Sequence, residues 1–200
     1  MQGSKGSRPG HSLRFNVIGS SGSGKSTFSR KLASILNIPH IEIDGIFWGP
    51  NWKEPDDEEF FKKLRNAISG DSWVLDGNYT RAVDIKWERV ETVVWIDYSF
   101  IRTFTQSVKR ATKRAYTKEE LWPGTGNRES FRQSFFSKDS IILWSVQNYW
   151  KIRSRCQSAM EDENYSHIEF VRLCTPADAE SYLKSIKIEA EPVAGNDATD

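Results

Sequence analysis

The stretch VIGSSGSGKST at residues 17–27 constrains the fold more than any other part of the chain. A short apolar run, RFNVI at 14–18, stops at Gly19. A helical pattern opens at Lys25, where Phe28, Leu32 and Ile35 recur at helical spacing. Gly19, Gly24, Lys25 and Ser26 fill the pattern G-x-x-x-x-G-K-[ST] without a gap. Strand, glycine-rich turn and helix in this order make a phosphate cradle. The backbone N–H groups of Gly19, Ser20, Ser21, Gly22, Ser23 and Gly24 can wrap a phosphate, and the helix behind adds the positive end of its dipole. Lys25 is then expected to reach the β- and γ-phosphates, and Ser26 to bind magnesium through its hydroxyl. Thr27 lies where an α-phosphate accepts its hydrogen bond. The plain alternative is a Gly/Ser loop that happens to precede a lysine. The flanking strand and helix patterns argue against it.

Beyond this point the pattern alternates. IPHIEID (38–44) reads as a second strand ending in Asp44, and WVLD (73–76) as a third. TVVWID (92–97) reads as a fourth and HIEFVRL (167–173) as a fifth. Between them EEFFKKLRNAIS (58–69), IRTFTQSVKRATKRA (101–115) and SIILWSVQNYWKIRSRC (140–156) read as helices, and PADAESYLKSI (176–186) closes the chain. Asp56 or Asp57 is placed to cap the first of these. Alternation of this kind predicts a three-layer α/β domain with a mostly parallel sheet, and ligands bind beyond the carboxyl ends of its strands. Two hundred residues fit one such domain, expected over 13–187. Residues 1–12 read as a flexible leader and 188–200 as a disordered acidic tail.

Charge and composition narrow the function classes. The net charge is +1, too small for wholesale phosphate neutralisation, so a mainly nucleic-acid-binding protein is not expected; a local basic face stays open. No apolar stretch approaches the roughly 20 residues that cross a bilayer, and the beginning of the chain has no apolar signal core. Cys156 and Cys174 read as two reduced structural thiols, which suits a cytoplasmic protein. His11, His40 and His167 are scattered and lie near no cysteine or carboxylate cluster in the sequence, so no zinc or iron site is expected.

A phosphate loop needs an aspartate on a neighbouring strand to orient magnesium. Asp44, Asp76 and Asp97 each stand at a strand end in this reading. If strands three and four flank strand one, Asp76 sits beside the loop and takes the magnesium role, with Asp97 as competitor or as a simple loop anchor. Gly77 would then let a ligand approach closely. Asp44 faces the acceptor region, where a carboxylate can accept the hydroxyl proton of a phosphoryl acceptor; a turn aspartate before Gly45 is the plain alternative. Trp48 could stack on the acceptor or pack under its own loop, and Arg81 could clamp an anionic group on it. Arg110, Arg114 and Arg128 are expected to stabilise transferring phosphoryl charge from a lid over about 115–138. Lys109 and Lys113 read as a solvated face, with Ile101, Phe104, Val108 and Ala111 turned to the core.

Together the phosphate loop, IEIDGIFWGPNW, WVLDGNY, KRATKR with WPGTGNRESF, and TPADAESYL resemble the small P-loop kinase-like proteins called DNA topology modulation proteins, which are related to adenylate kinase. The resemblance spans about residues 13–187. It implies a five-stranded parallel sheet of order 2-3-1-4-5, ATP with magnesium, and an arginine-bearing lid. It also implies that adenosine packs near Thr175 and Pro176 after the last strand. Two departures separate the chain from adenylate kinases themselves. DGNYTR stands where they carry aspartate-glycine-Phe-Pro-Arg, and the segment between Asp44 and Trp73 is shorter than their AMP-binding insert. The expected activity is phosphoryl transfer from ATP to a small acceptor. The alternative is an ATP-binding regulatory or nucleic-acid-associated protein with weak ATPase activity. A GTPase is not expected, because no Asn-Lys-x-Asp guanine motif ends a strand.

Overall fold

The computed structural model describes residues 13–117, 120–122, 124–127 and 141–190. Five strands, β1 (Arg14–Gly19), β2 (His40–Glu42), β3 (Trp73–Asp76), β4 (Thr92–Ile96) and β5 (Glu169–Leu173), form one sheet in the order β2-β3-β1-β4-β5. Every neighbouring pair is parallel. Parallel strands need crossovers, and helices supply them on both faces. The helices are α1 (Lys25–Leu36), α2 (Ile43–Phe47), α3 (Asp57–Ala67), α4 (Val83–Trp87), α5 (Phe100–Thr117), α6 (Ile141–Glu161) and α7 (Pro176–Ala190). The central strands β3 and β4 are buried along their whole length, whereas the edge strand β2 is half-buried.

Side-chain alternation sorts the core into two layers. Phe15, Val17, Val74, Val94 and Ile96 point to one face and meet Phe28, Leu32 and Ala33 of α1 and Ala179 and Leu183 of α7. Ile18, Trp73, Leu75, Val93 and Trp95 point to the other and meet Phe60, Leu64, Ile85 and Trp87. Asn16, a polar residue, is wholly buried in the second layer. Its amide donates to the carbonyls of Leu75 and Gly77 and accepts from the Trp87 indole, so every part of it is partnered. That knot ties β1, β3 and α4 together directly under the loop that follows β1.

Three expected elements change shape. The second strand stops at Glu42 rather than Asp44, because β3 ends at Asp76 and offers nothing to pair beyond it. The chain instead turns into α2, which carries Asp44 in its first turn and sends Ile43 into the core. Helix α4 was not foreseen; five residues are too few for a periodic signal. On α5 the buried positions are Thr103, Ser107 and Ala111, while Ile101 is 75% exposed. The reason is the close approach of the glycine-rich loop after β1, which admits only small side chains. Helix α7 runs to Ala190, past the expected start of the acidic tail; residues 1–12 and 191–200 lie outside the described residues.

Candidate functional site

β1 ends in the loop Gly19–Gly24, at the carboxyl rim of the sheet, between β3 and β4. Gly22 has φ +82°, and a Cβ there would collide with Ser107 and lie 2.6 Å from the Thr103 carbonyl. Glycine is therefore required by the α5 contact as well as by the turn. Ser107 donates its hydroxyl to the Ser21 carbonyl at 2.9 Å, and Arg110 donates to the Ser21 hydroxyl at 2.7 Å. Gly24, at φ +92°, is the N-cap of α1, and a Cβ there would point into open space. No side chain caps α1, and its first turn holds no acidic residue. An uncapped helix start with free N–H groups and no competing carboxylate fits an anion.

Asn78 secures the start of the loop. Its side-chain oxygen accepts from the Gly19 N–H at 2.9 Å and its amide donates to the Gly19 carbonyl at 2.7 Å. The Asn78 carbonyl in turn accepts from Lys86, a lysine with no exposed surface. Neither residue was singled out for a role from the sequence. Asn78 follows Asp76-Gly77 at the end of β3, and that position next to a phosphate loop was the available signal.

Lys25 donates to the Ser20 carbonyl at 3.3 Å and is half-buried. Burial holds its ammonium below the ordinary lysine range. Asp76 and then Asp44 pull it back up, and Arg110 pushes it down further. The structure thus brings Lys25, Asp76, Asp44 and Arg110 within electrostatic reach of one another. Asp76 is 6% exposed, and its Oδ1 has no hydrogen-bond partner. A buried carboxylate oxygen left open in this way fits a cation. The competing Asp97 is engaged elsewhere: Arg172 donates to it through Nε at 2.9 Å, and Arg153 lies 3.4 Å away. It anchors β5 and α6 to the end of β4.

The acceptor-side residues divide. Asp44 is exposed and accepts from the Tyr79 hydroxyl at 2.9 Å. Burial, followed by the Asp44 charge, pushes the Tyr79 phenol far above its ordinary value, so it remains a donor throughout the working pH range. Trp48 meets Phe47 and Trp52 edge-on, and Trp52 meets Trp122. Asn127 closes this aromatic row: it accepts from the Trp52 N–H and donates to the Gly49 carbonyl, each at 2.9 Å. So the described part of the expected lid packs on the 45–52 loop. Arg81 packs beside Tyr79, the partner of Asp44. Its guanidinium lies 4.7 Å above the Phe47 ring and pairs with Asp57 at 3.0 Å. Gly77 packs against Ile43: a Cβ there would lie 3.0 Å from it.

Ser26 and Thr27 occupy the first turn of α1. Arg114 is half-buried in the last turn of α5, where Lys109 and Lys113 are exposed. Arg128 and Pro123 lie outside the described residues, as does most of the expected lid. Thr175 and Pro176 open α7: the Thr175 hydroxyl accepts from the Asp178 N–H, and Asp178 accepts from the Thr175 N–H at 2.8 Å, a reciprocal cap. Among the described residues, no helix is long and apolar enough to cross a membrane. No protein-family model matches the chain, and no curated protein matches it significantly.

Proposed function

We propose that this protein is an ATP- and magnesium-dependent phosphotransferase of the P-loop kinase type, resembling the DNA topology modulation group, that passes the γ-phosphate of ATP to a small acceptor. The observation that carries this reading is the electrostatic grouping of Lys25 with Asp76, Asp44 and Arg110 around an uncapped helix start. Each member has a part in one reaction. The remaining N–H groups of the loop and of the first turn of α1 hold the phosphates, and Lys25 neutralises charge on the β- and γ-oxygens. Magnesium, held by Ser26 and Asp76, supplies further neutralisation of those oxygens when bound.

Asp44 takes the proton of the acceptor hydroxyl as the oxygen attacks the γ-phosphorus and the bond to the β-phosphate oxygen breaks. Tyr79 occupies Asp44 Oδ1 and orients the carboxylate, leaving Oδ2 for that proton. Arg110 offsets charge on the transferring group and Arg114 assists from the next turn of α5. The row of Trp48, Trp52 and Trp122 forms an apolar wall beside Asp44 on which a flat or sugar-like acceptor can lie. The two free thiols, Cys156 and Cys174, agree with a reducing cytoplasmic setting.

The test is a screen of nucleosides, nucleotides and sugar acids for phosphoryl transfer from ATP, run against basal hydrolysis. An acceptor that raises turnover, with kcat lost in Asp44→Asn, supports the proposal. If no acceptor exceeds hydrolysis, the reading falls to an ATP-binding regulatory protein.

A further inference from the structure

His40 and Glu42 stand two residues apart on β2, so their side chains share one face of the sheet. Glu42 is in register with Asp76 on β3, and His40 with Val74. One nitrogen of His40 and one carboxylate oxygen each of Glu42 and Asp76 fall within 4.8 Å of one another. This face is the one that α1 covers, and the cluster stands beside the phosphate loop rather than in it.

Two atoms of the cluster are left without a partner. His40 Nε2 and Asp76 Oδ1 are both buried and both lack a hydrogen-bond partner. An orphaned buried polar atom costs about 1–3 kcal/mol. Two of them in one cluster fit a shared partner that accepts lone pairs from both. Water can donate to both atoms; a cation would in addition satisfy the two negative charges of Glu42 and Asp76.

We propose that His40, Glu42 and Asp76 form a binding site for a borderline divalent transition metal of the zinc class. The donor set chooses the metal. Imidazole nitrogen suits zinc, iron and nickel and is a poor ligand for magnesium, which prefers all-oxygen shells. Ligand atoms around zinc stand about 3.4 Å apart, given bonds of about 2.0–2.1 Å. The half-buried Glu42 can close the difference by rotation. Three protein ligands leave a fourth position open to water or a phosphate oxygen. Two cations oppose occupancy: Arg30, 3.4 Å from Glu42 and largely exposed, and Lys25 beside Asp76. Arg30 must swing away as the metal enters. The site goes beyond the nucleotide reading and shares only Asp76 with it.

The test uses the full chain, stripped with chelator and free of nucleotide. Zn2+ is titrated by calorimetry, and Co2+ is followed by its visible absorption. One equivalent of Zn2+ is expected, with a cobalt spectrum free of the sulfur charge-transfer band that Cys174 ligation would give. His40→Ala and Glu42→Gln should each weaken Zn2+ binding by about tenfold or more. Arg30→Ala should tighten it, an effect that loss of a merely structural ion pair would not produce. His40→Ala should leave ATP affinity unchanged, whereas Lys25→Ala should lose ATP and keep zinc. Absence of zinc binding, or equal affinity in the wild type and His40→Ala, overturns the proposal. Zinc binding in a protein that does not bind ATP would leave this site standing and remove only the kinase reading.

Discussion

Asn78 and Lys86 show how much of the Gly19–Gly24 loop rests on residues outside it. The two hydrogen bonds from Asn78 to Gly19 hold the point where strand becomes loop, and Lys86 holds the Asn78 carbonyl from below. Asn78→Ala should lower ATP affinity by about tenfold, equivalent to about 1.4 kcal/mol, as measured by equilibrium binding; unchanged affinity would mean the loop keeps its shape without the clamp. Lys86 also carries a pH signature. Burial pushes its pKa down to about 7 from 10.5. Between those values the unfolded chain binds a proton that the folded chain has released, so this group makes stability rise with pH over the window from about 7 to 10.5. Below pH 7 both states are protonated and the cost of burying the charge is felt in full. Lys86→Met should flatten that rise, read as the difference between variant and wild-type denaturant midpoints at pH 7 and pH 10. Parallel curves would show that Lys86 titrates normally.

Helix α5 is the element through which the rest of the molecule touches the loop. Its buried positions are small because Gly22 runs against them, and Arg110 reaches the loop from the same side. Gly22→Ala should destabilise the fold by about 2 kcal/mol or more, through a positive φ and a backbone clash that no side-chain rotation relieves. A thermal shift below about 2 °C would be too small for that clash. At the end of β4, Asp97 belongs to packing. Asp97→Asn should cost about 1–2 kcal/mol of stability and leave the magnesium dependence of ATP binding intact. Lost magnesium dependence would hand the metal role from Asp76 to Asp97. On the acceptor side, Asn127 fastens the 120–127 segment to the 45–52 loop. Asn127→Ala should raise the acceptor KM while the ATP KM stays the same; an equal rise in both would show a general loss of fold.

Across the whole molecule, the sheet order sets what can meet. With β1 between β3 and β4, Asp76 and Asp97 both end beside the glycine-rich loop, and only partner choice separates them. Local chemistry was enough to read the alternation of strands and helices, the parallel sheet, the loop at 19–27 and the start of α1 at Lys25. Glycine spacing, an apolar run and a helical stripe all act within about a dozen residues, and each pointed the same way. Long-range neighbours lay beyond that reach. His40 looked isolated because its partner Asp76 is 36 positions away and reaches it only through the β2–β3 register. The contacts of Arg81 with Phe47 and Asp57 likewise exist only in the folded chain. Asp44 moved from a strand end to a helix turn because β3 ran out of residues to pair with it. Segment type followed from near neighbours, whereas the partners of each charged side chain followed from which strands lie side by side. The second kind of information is set by packing between segments distant in the chain, and no local pattern carries it.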